Sequence, residues 1–369
     1  MTLQKSKIWT KRLTGLICAS VLACIFTPPA QAEEVQHLRH SIRALGMGNA
    51  FTAVANDESA LFYNPAGLES VKNYSFELVS LAATVNQNLL DIASADGSDA
   101  TATLGTITGG KIYSEANASL LSFTAPGWGW SFFGSLVIDP GVHNPVVPYF
   151  DVAGFVQSGI AVGFSMNFMD QLLDVGVGLK SVSRTGIRTE VHIVDFLDDD
   201  FSSNIQDDFV DGKKQQAIDV GLIYHMEDFY NYQTKFGAVV KNIGGMDFGT
   251  TGTFPTTIDV GVASESEFVG LDVLVAADVV DIAFKNTPTK SLQRNFNVGA
   301  EFGMYMRNNG HHTLSARLGM KGGYASTGWT LNPPYIPITI DYAEWSEEIG
   351  TYGGSNRDKR KSLQLAINF

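Results

Sequence analysis

Cysteine is nearly absent: the 369 residues hold two, Cys18 and Cys24, both near the amino terminus. Positive charge is scarce as well, with 25 Lys and Arg against 38 Asp and Glu and a formal net charge of −13. Only 17% of residues are charged, and nowhere do about 20 apolar residues follow one another. Each shortage excludes something. Without further thiols there is no disulfide framework, no Cys-ligated zinc and no thiolate nucleophile. Without a basic surface to displace counterions from phosphate, nucleic acid is excluded as a partner. The missing apolar run excludes a helical membrane protein, and low charge with 44% apolar content excludes disorder. Glycine is abundant, at 37 residues against roughly 7% in average proteins. Aromatics reach 11%. That balance leaves mainly β architectures.

Residues 1–32 read as an export signal. Lys5, Lys7, Lys11 and Arg12 form a basic start, Leu13 to Phe26 an apolar core, and Ala30-Gln31-Ala32 a cleavage site, so the mature chain is expected to begin at Glu33. A lipoprotein signal at Cys24 is the competing reading, but Leu22 is bulky for that site. Removing 1–32 takes away four cations and both cysteines, which brings the charge to −17. An exported, thiol-free chain rich in glycine and aromatics suits the bacterial outer membrane.

From about Tyr74 onward the chain alternates apolar and small or polar residues in segments of roughly ten, the length of a tilted membrane strand. Leu173 to Lys180, Ile218 to Tyr224, Ile258 to Val262 and Phe296 to Phe302 are examples. A soluble β-sandwich also alternates. It does not gather aromatics near segment ends, as Trp128, Tyr224, Tyr232, Trp329, Tyr335, Tyr342 and Trp345 do here. The expected strands are 73–84, 118–125, 129–138, 157–168, 173–182, 216–226, 234–242, 256–265, 271–280, 294–306, 312–321, 326–333, 336–344 and 362–369. Their connections alternate long and short, as an up-and-down barrel with both termini in the periplasm requires. The fold class is thus an all-β transmembrane antiparallel barrel of about 14 strands: 73–369 the barrel, 33–72 a segment that is not strand-like. Outer-membrane lipid is its expected surroundings. Phe369 closes the last alternating segment and resembles the signal read by the barrel assembly machinery, a second expected partner.

The segment Ser41 to Leu68, with Arg43 to Ala50 followed by Asn64-Pro65-Ala66-Gly67-Leu68, resembles the hatch of the FadL-type outer-membrane transporter superfamily, which includes long-chain fatty acid and hydrocarbon transporters with PorV-like and TraF-like relatives. Asn49 stands where glycine is frequent in that group, and Asn56 where aspartate is frequent. The resemblance implies a fourteen-stranded barrel whose amino-terminal segment folds inside the lumen. It points to Arg43, Gly46, Gly48, Asn64, Pro65, Ala66 and Gly67 as hatch or gating residues. Eleven of the 27 residues from Ser41 to Gly67 are Gly, Ala or Ser, so backbone can approach a wall closely. Gly159, Ala161, Gly163, Ser165, Gly176, Gly178, Gly221, Gly261, Gly299 and Gly303 are candidate facing positions, although barrel glycines also serve bending. A tight turn is expected at Asn64 to Gly67, with positive φ at Gly67.

Strand direction places Lys180 near Asp219 and Lys241 near Asp259, with Asn297 at the same height and Asp278 and Asp341 close to it. The cross-strand pairs themselves read as structural, and with Asp278 and Asp341 the upper lumen is expected to carry an excess of negative charge, which favours neutral apolar ligands or none. Gly46-Met-Gly48 is no dinucleotide motif, since Phe51 fills the third glycine position. No G-x-S-x-G, H-E-x-x-H or P-loop occurs, so neither enzyme, cofactor nor metal is expected. His37, His40, His311 and His312 read as solvated surface. The aspartate-rich loop 195–211 is either a solvated outer loop or a divalent-cation or partner site. Two functions stay open. One is passage of hydrophobic small molecules with the hatch as gate, the ligand being the third expected partner. The other is a non-transporting PorV-like or TraF-like barrel acting in secretion or envelope assembly through its extracellular loops.

Overall fold

Strands with an apolar outer face must pair with one another all the way round in a bilayer, because every backbone N–H and C=O there needs a partner. The structure, a computed structural model, has that closed form. It describes residues 37–94, 111–143, 149–192, 209–227, 232–286, 291–306, 312–349 and 356–369. Both cysteines, the signal, most of the aspartate-rich loop and His311 lie outside the described residues.

Fourteen strands make the barrel: β1 (Ser75–Asn86), β2 (Ser114–Ala125), β3 (Trp128–Ile138), β4 (Tyr149–Phe168), β5 (Leu173–His192), β6 (Val210–His225), β7 (Gln233–Ile243), β8 (Thr257–Phe268), β9 (Leu271–Val279), β10 (Phe296–Met306), β11 (His312–Lys321), β12 (Tyr324–Leu331), β13 (Ile338–Glu348) and β14 (Arg357–Asn368). Each pairs antiparallel with the next. β1 closes the ring on β14, from Glu77 opposite Asn368 to Asn86 opposite Arg360. Among the described residues no barrel edge is left unpaired. Leu81, Phe132, Phe164, Leu222, Leu318 and Leu365 face out and are exposed, while neighbours such as Ser80, Ser131, Ser165 and Asp219 face in and are buried. Strand number, order and direction agree with the sequence reading, and the architecture is that of an outer-membrane barrel.

The strand ends differ from expectation, mostly on the outer side. β4 and β5 each run 20 residues, about twice what a bilayer needs. β2, β6 and β14 begin earlier than expected and β13 ends later. Above the membrane the outward face meets water, so alternation fades while the ladder continues through Arg188, Thr189, Lys213 and Lys359. β12 lies two residues earlier because Gly322 and Gly323, both at positive φ (57° and 93°), make a two-residue outer hairpin.

Trp345 is a second correction. It does not sit in an interfacial belt but is buried inside the lumen, its ring 5.4 Å from that of His40 and 4.7 Å from Lys321 Nζ. The apolar core fills mid-lumen: Phe51, Leu61, Phe62 and Leu68 of the amino-terminal segment pack with Phe133, Ala161, Ala217, Ala263 and Ala276 of the wall.

Candidate functional site

The segment 37–72 lies inside the barrel. It folds as short pieces: α1 (Ile42–Gly46), capped by Ser41 Oγ; α2 (Ala60–Tyr63); and a 3-10 turn, Pro65–Ser70. Gly48 and Asn49 take φ of 65° and 61° after α1. That left-handed geometry explains why Asn can stand where glycine is frequent.

Asn64-Pro65-Ala66-Gly67 opens the 3-10 turn rather than forming an isolated one. Asn64 is wholly buried. Its Oδ1 accepts from Ala66 N (3.1 Å), and its Nδ2 donates to Thr52 O (2.8 Å) and to Leu222 O of the wall (3.3 Å). Gly67 does not have positive φ as expected. It is needed because a Cβ there would lie 1.9 Å from Ala55 O.

The hatch runs against a row of wall glycines, strand after strand. A Cβ at Gly328 (β12) would meet Gly46, one at Gly319 (β11) Gly48, and one at Gly299 (β10) Met47. Farther round, Gly261 (β8) faces the Asp278 carboxylate and, behind it, Thr52; Gly237 (β7) faces Thr52 and Ala53, Gly221 (β6) faces Asn64, Gly176 (β5) faces Pro65 and Ala66, and Gly163 (β4) faces Leu61 and Leu68. Four pairs of these row glycines and their neighbour Gly178 sit directly opposite each other: Gly319 with Gly299, Gly261 with Gly237, Gly221 with Gly176, and Gly178 with Gly163. The sequence reading missed Gly237, Gly319 and Gly328. It also assigned Gly159 and Gly303 to the hatch, whereas they make room for the rings of Phe133 and His312 on the wall itself.

Polar fasteners complete the docking. Asp278 Oδ2 on β9 accepts from two successive hatch amides, Phe51 N (2.7 Å) and Thr52 N (2.8 Å), and Asn297 Nδ2 donates to Asn49 O (3.3 Å). Arg43 ties hatch to wall, pairing with Asp57 (2.7 Å), Asn56 Oδ1 (2.7 Å) and Glu301 (2.8 Å). Burial alone would lower the Arg43 pKa, but Glu301 and Asp57 hold it above the ordinary value.

Above the hatch, Lys180 meets Asp219 at 2.6 Å and Lys241 meets Asp259 at 2.5 Å. Both aspartates work alike: Asp219 also accepts from Asn242 N near the end of β7, and Asp259 from Asp281 N just past β9, each 2.7 Å, so each ties its strand to the outer end of the next. Asp341 is not at their height. It lies with Thr330 and Arg317, 3.6 Å from the latter, and Arg317 pairs with Glu301 at 2.5 Å. On β10 Glu301 is four residues nearer the periplasm than Asn297, about 13 Å along a strand. Counting positions within each strand ignored the stagger between strands.

The upper chamber, about 90 Å³, is lined by five Lys and Arg side chains against three acids. The expected negative excess is therefore absent from its lining. A lower cavity of about 120 Å³ opens among residues of the short-turn side. Burial beside Asp57 and Glu77 pushes the Glu58 carboxyl, which faces it, well above the usual range.

Two features had escaped the sequence reading. The outer connection after β7 folds inward, with Met246, Phe248 and Phe254 buried. Arg184 of β5 holds it by donating to Thr251 O (2.7 Å), and its guanidinium lies 4.7 and 4.9 Å from the rings of Phe248 and Phe254. His312 is not a solvated turn residue but opens β11, with Nε2 2.6 Å from Asp272. His37 and His40 likewise are not free surface groups: their rings meet at a 47° tilt, 4.5 Å between centres. Phe369 is exposed at the periplasmic rim, its backbone paired with Phe76.

No family model and no curated protein matches the chain. Among solved structures it is similar to the Ralstonia pickettii toluene transporter TbuX, at 12% identity over 89% of this chain and 97% of that one, with a TM-score of 0.42. It is also similar to a Pseudomonas aeruginosa FadL homologue (10%, 93% and 99%, TM-score 0.44) and to the Pseudomonas putida toluene transporter TodX (10%, 91% and 99%, TM-score 0.41). At this identity nothing about ligand or gating follows from the likeness.

Proposed function

We propose that the barrel is a gated passage for small, mainly apolar molecules across the outer membrane, with the hatch as its gate. One observation carries this reading. The segment 37–72 packs inside the lumen without contributing a strand to the sheet, held instead by glycine contacts and a few side-chain hydrogen bonds. Such a segment can shift while the ladder stays intact. The apolar mid-lumen layer of Phe51, Phe62, Phe133 and Phe254 favours apolar cargo over the water-filled path of a porin.

A second reading, a docking barrel for secretion or assembly, has one observation in its favour. Bulky apolar side chains stand out at periplasmic turns, with Val269 90% and Tyr335 98% exposed. Replacing Asn64 by Leu separates the two. It leaves Ala66 N and Thr52 O without their buried partner, a local cost on the order of 1–3 kcal/mol. Under the gate reading, Asn64→Leu inserts normally and conducts more than the parent in planar bilayers. Unchanged conductance from a normally inserted variant favours the docking reading.

A further inference from the structure

We propose that the lipid-facing wall holds a phosphate-bearing lipid of the outer leaflet, its acyl chain in a groove across β14, β1, β2, β3 and β4 and its phosphate on Lys361 and Lys359. The site lies on the opposite face of the wall from the hatch. It goes beyond the gated-passage reading and does not depend on it.

A membrane barrel presents an outward apolar band to lipid. Here two successive outward rungs of that band are floored by small residues. Antiparallel register runs Leu365, Leu81, Ala118, Gly134 and Ser158 along one. The rung above it runs Leu363, Ala83, Ala116, Leu136 and Val156. Bulk returns on the rung below, where Leu120 and Phe132 stand out from the wall. The wall is thereby hollowed into an open, mainly apolar groove of about 660 Å³, within the range of roughly 300–1,000 Å³ usual for ligand sites.

Positive charge stands above the β14 end of this groove. Lys361 is the next outward residue after Leu363, about 7 Å farther along the strand, and Lys359 and Arg357 follow at the same spacing. All face outward with Leu363 and Leu365, whereas Asp358, Arg360 and Ser362 between them are buried on the inner face. The acids opposite are Glu344, across from Lys361, and Glu348, across from Arg357. Glu348 is buried and already accepts from Tyr324 OH and Asn356 N. Arg357 donates to Ser346 Oγ at 2.8 Å, while among the described residues Lys359 and Lys361 form no ion pair. Lys214 on β6, another outward-facing cation, also stands on the outer half of the wall.

The combination selects the occupant. Two neighbouring ammonium groups suit a headgroup with more than one negative charge, and the trough beneath them suits the chain attached to it. A free anion has no use for the groove, and a neutral lipid none for the lysines.

Native mass spectrometry of the detergent-purified barrel, with dipalmitoyl phosphatidic acid as probe, tests this. A single retained lipid is expected, with dipalmitoylphosphatidylcholine, which has the same chains, retained roughly tenfold less. Lys359→Ser with Lys361→Ser should cut retention of the acid roughly tenfold or more. Ala83→Phe, which fills the groove and leaves the charges in place, should cut it too. Lys214→Ser should leave it unchanged. Each variant must first show the parent's heat-dependent gel shift. Equal retention of the two lipids overturns the proposal, as does unchanged retention in the double-lysine variant or in Ala83→Phe. So does equal retention of palmitate, which would make the ligand a carboxylate, or full displacement of the lipid by inorganic phosphate, which would leave the groove without a role.

Discussion

Single atoms decide whether the hatch fits. A wall glycine can pair in the ladder as well as any residue, yet one added methyl meets hatch backbone. At Gly299 the new Cβ would lie 2.1 Å from Met47 O. Gly299→Val should therefore leave the strand intact, since valine suits strands, while pushing the hatch off the wall. The expected result is a heat-modifiable barrel whose residues 37–72 are cut faster by protease than in the parent. Equal cleavage rates would mean that the glycine row serves strand bending instead. Asp278 and Asn297 act at the same scale, reaching backbone atoms between Asn49 and Thr52 that no hatch side chain satisfies.

At the scale of elements, the inner and outer closures are built differently. The hatch docks through backbone proximity, and the loop after β7 docks through side chains of the wall: Arg184 on its buried side, and Lys213, 3.5 Å from Asp247, on its exposed side. Arg184 stacks on Phe155 (4.1 Å) and donates to Gln157 Oε1 and Thr251 O, both 2.7 Å. Arg184→Gln removes the charge-assisted bond and the ring contacts, a local loss on the order of 3 kcal/mol. Hydrogen exchange across 244–256 should then quicken while β5 and β6 keep their protection. Unchanged exchange would show that Phe248 and Phe254 hold the loop by burial alone.

How much of this the sequence disclosed follows from the same physics. Alternation reports a strand only where one face meets lipid. The fourteen spans were therefore legible, and the watery outer extensions of β4, β5 and β6 were not. The Lys180–Asp219 and Lys241–Asp259 contacts could be anticipated because strand direction and nearest-neighbour pairing determine them. The height of Asp341 could not, because stagger accumulates around the ring. Trp345, His312 and the folded-in Phe248 were misjudged or missed, since a residue type at a strand end does not say which way it points. The repeated Val-Gly after Asp219 and Asp259, and after Asn297, was a usable signal for the glycine row. Gly237, Gly319 and Gly328 lack that context and became visible only through register.

For the whole molecule, closure of β1 on β14 separates barrel integrity from hatch position. Deleting Phe369 removes only the last rung, between Phe76 and Phe369, so the folded ladder would tolerate it. If Phe369 is read during assembly, the truncated chain should accumulate in the periplasm while refolding normally in detergent. Normal outer-membrane levels would rule that role out.

If the hatch moves to open the lumen, a tether that pins it to the wall stops passage. A Cβ at Gly178 would lie 3.7 Å from Pro65 Cβ, with no clash around it, close to the mean Cβ separation of about 3.8 Å in disulfides. Pro65→Cys with Gly178→Cys, in a chain with Cys18 and Cys24 replaced by serine, pins hatch to wall by a reversible bond. The measurement is entry of a small apolar dye into proteoliposomes carrying this variant, before and after reduction. Entry should stay at background when oxidised and reach the parental rate once reduced. Parental entry through the oxidised, fully cross-linked barrel would contradict it.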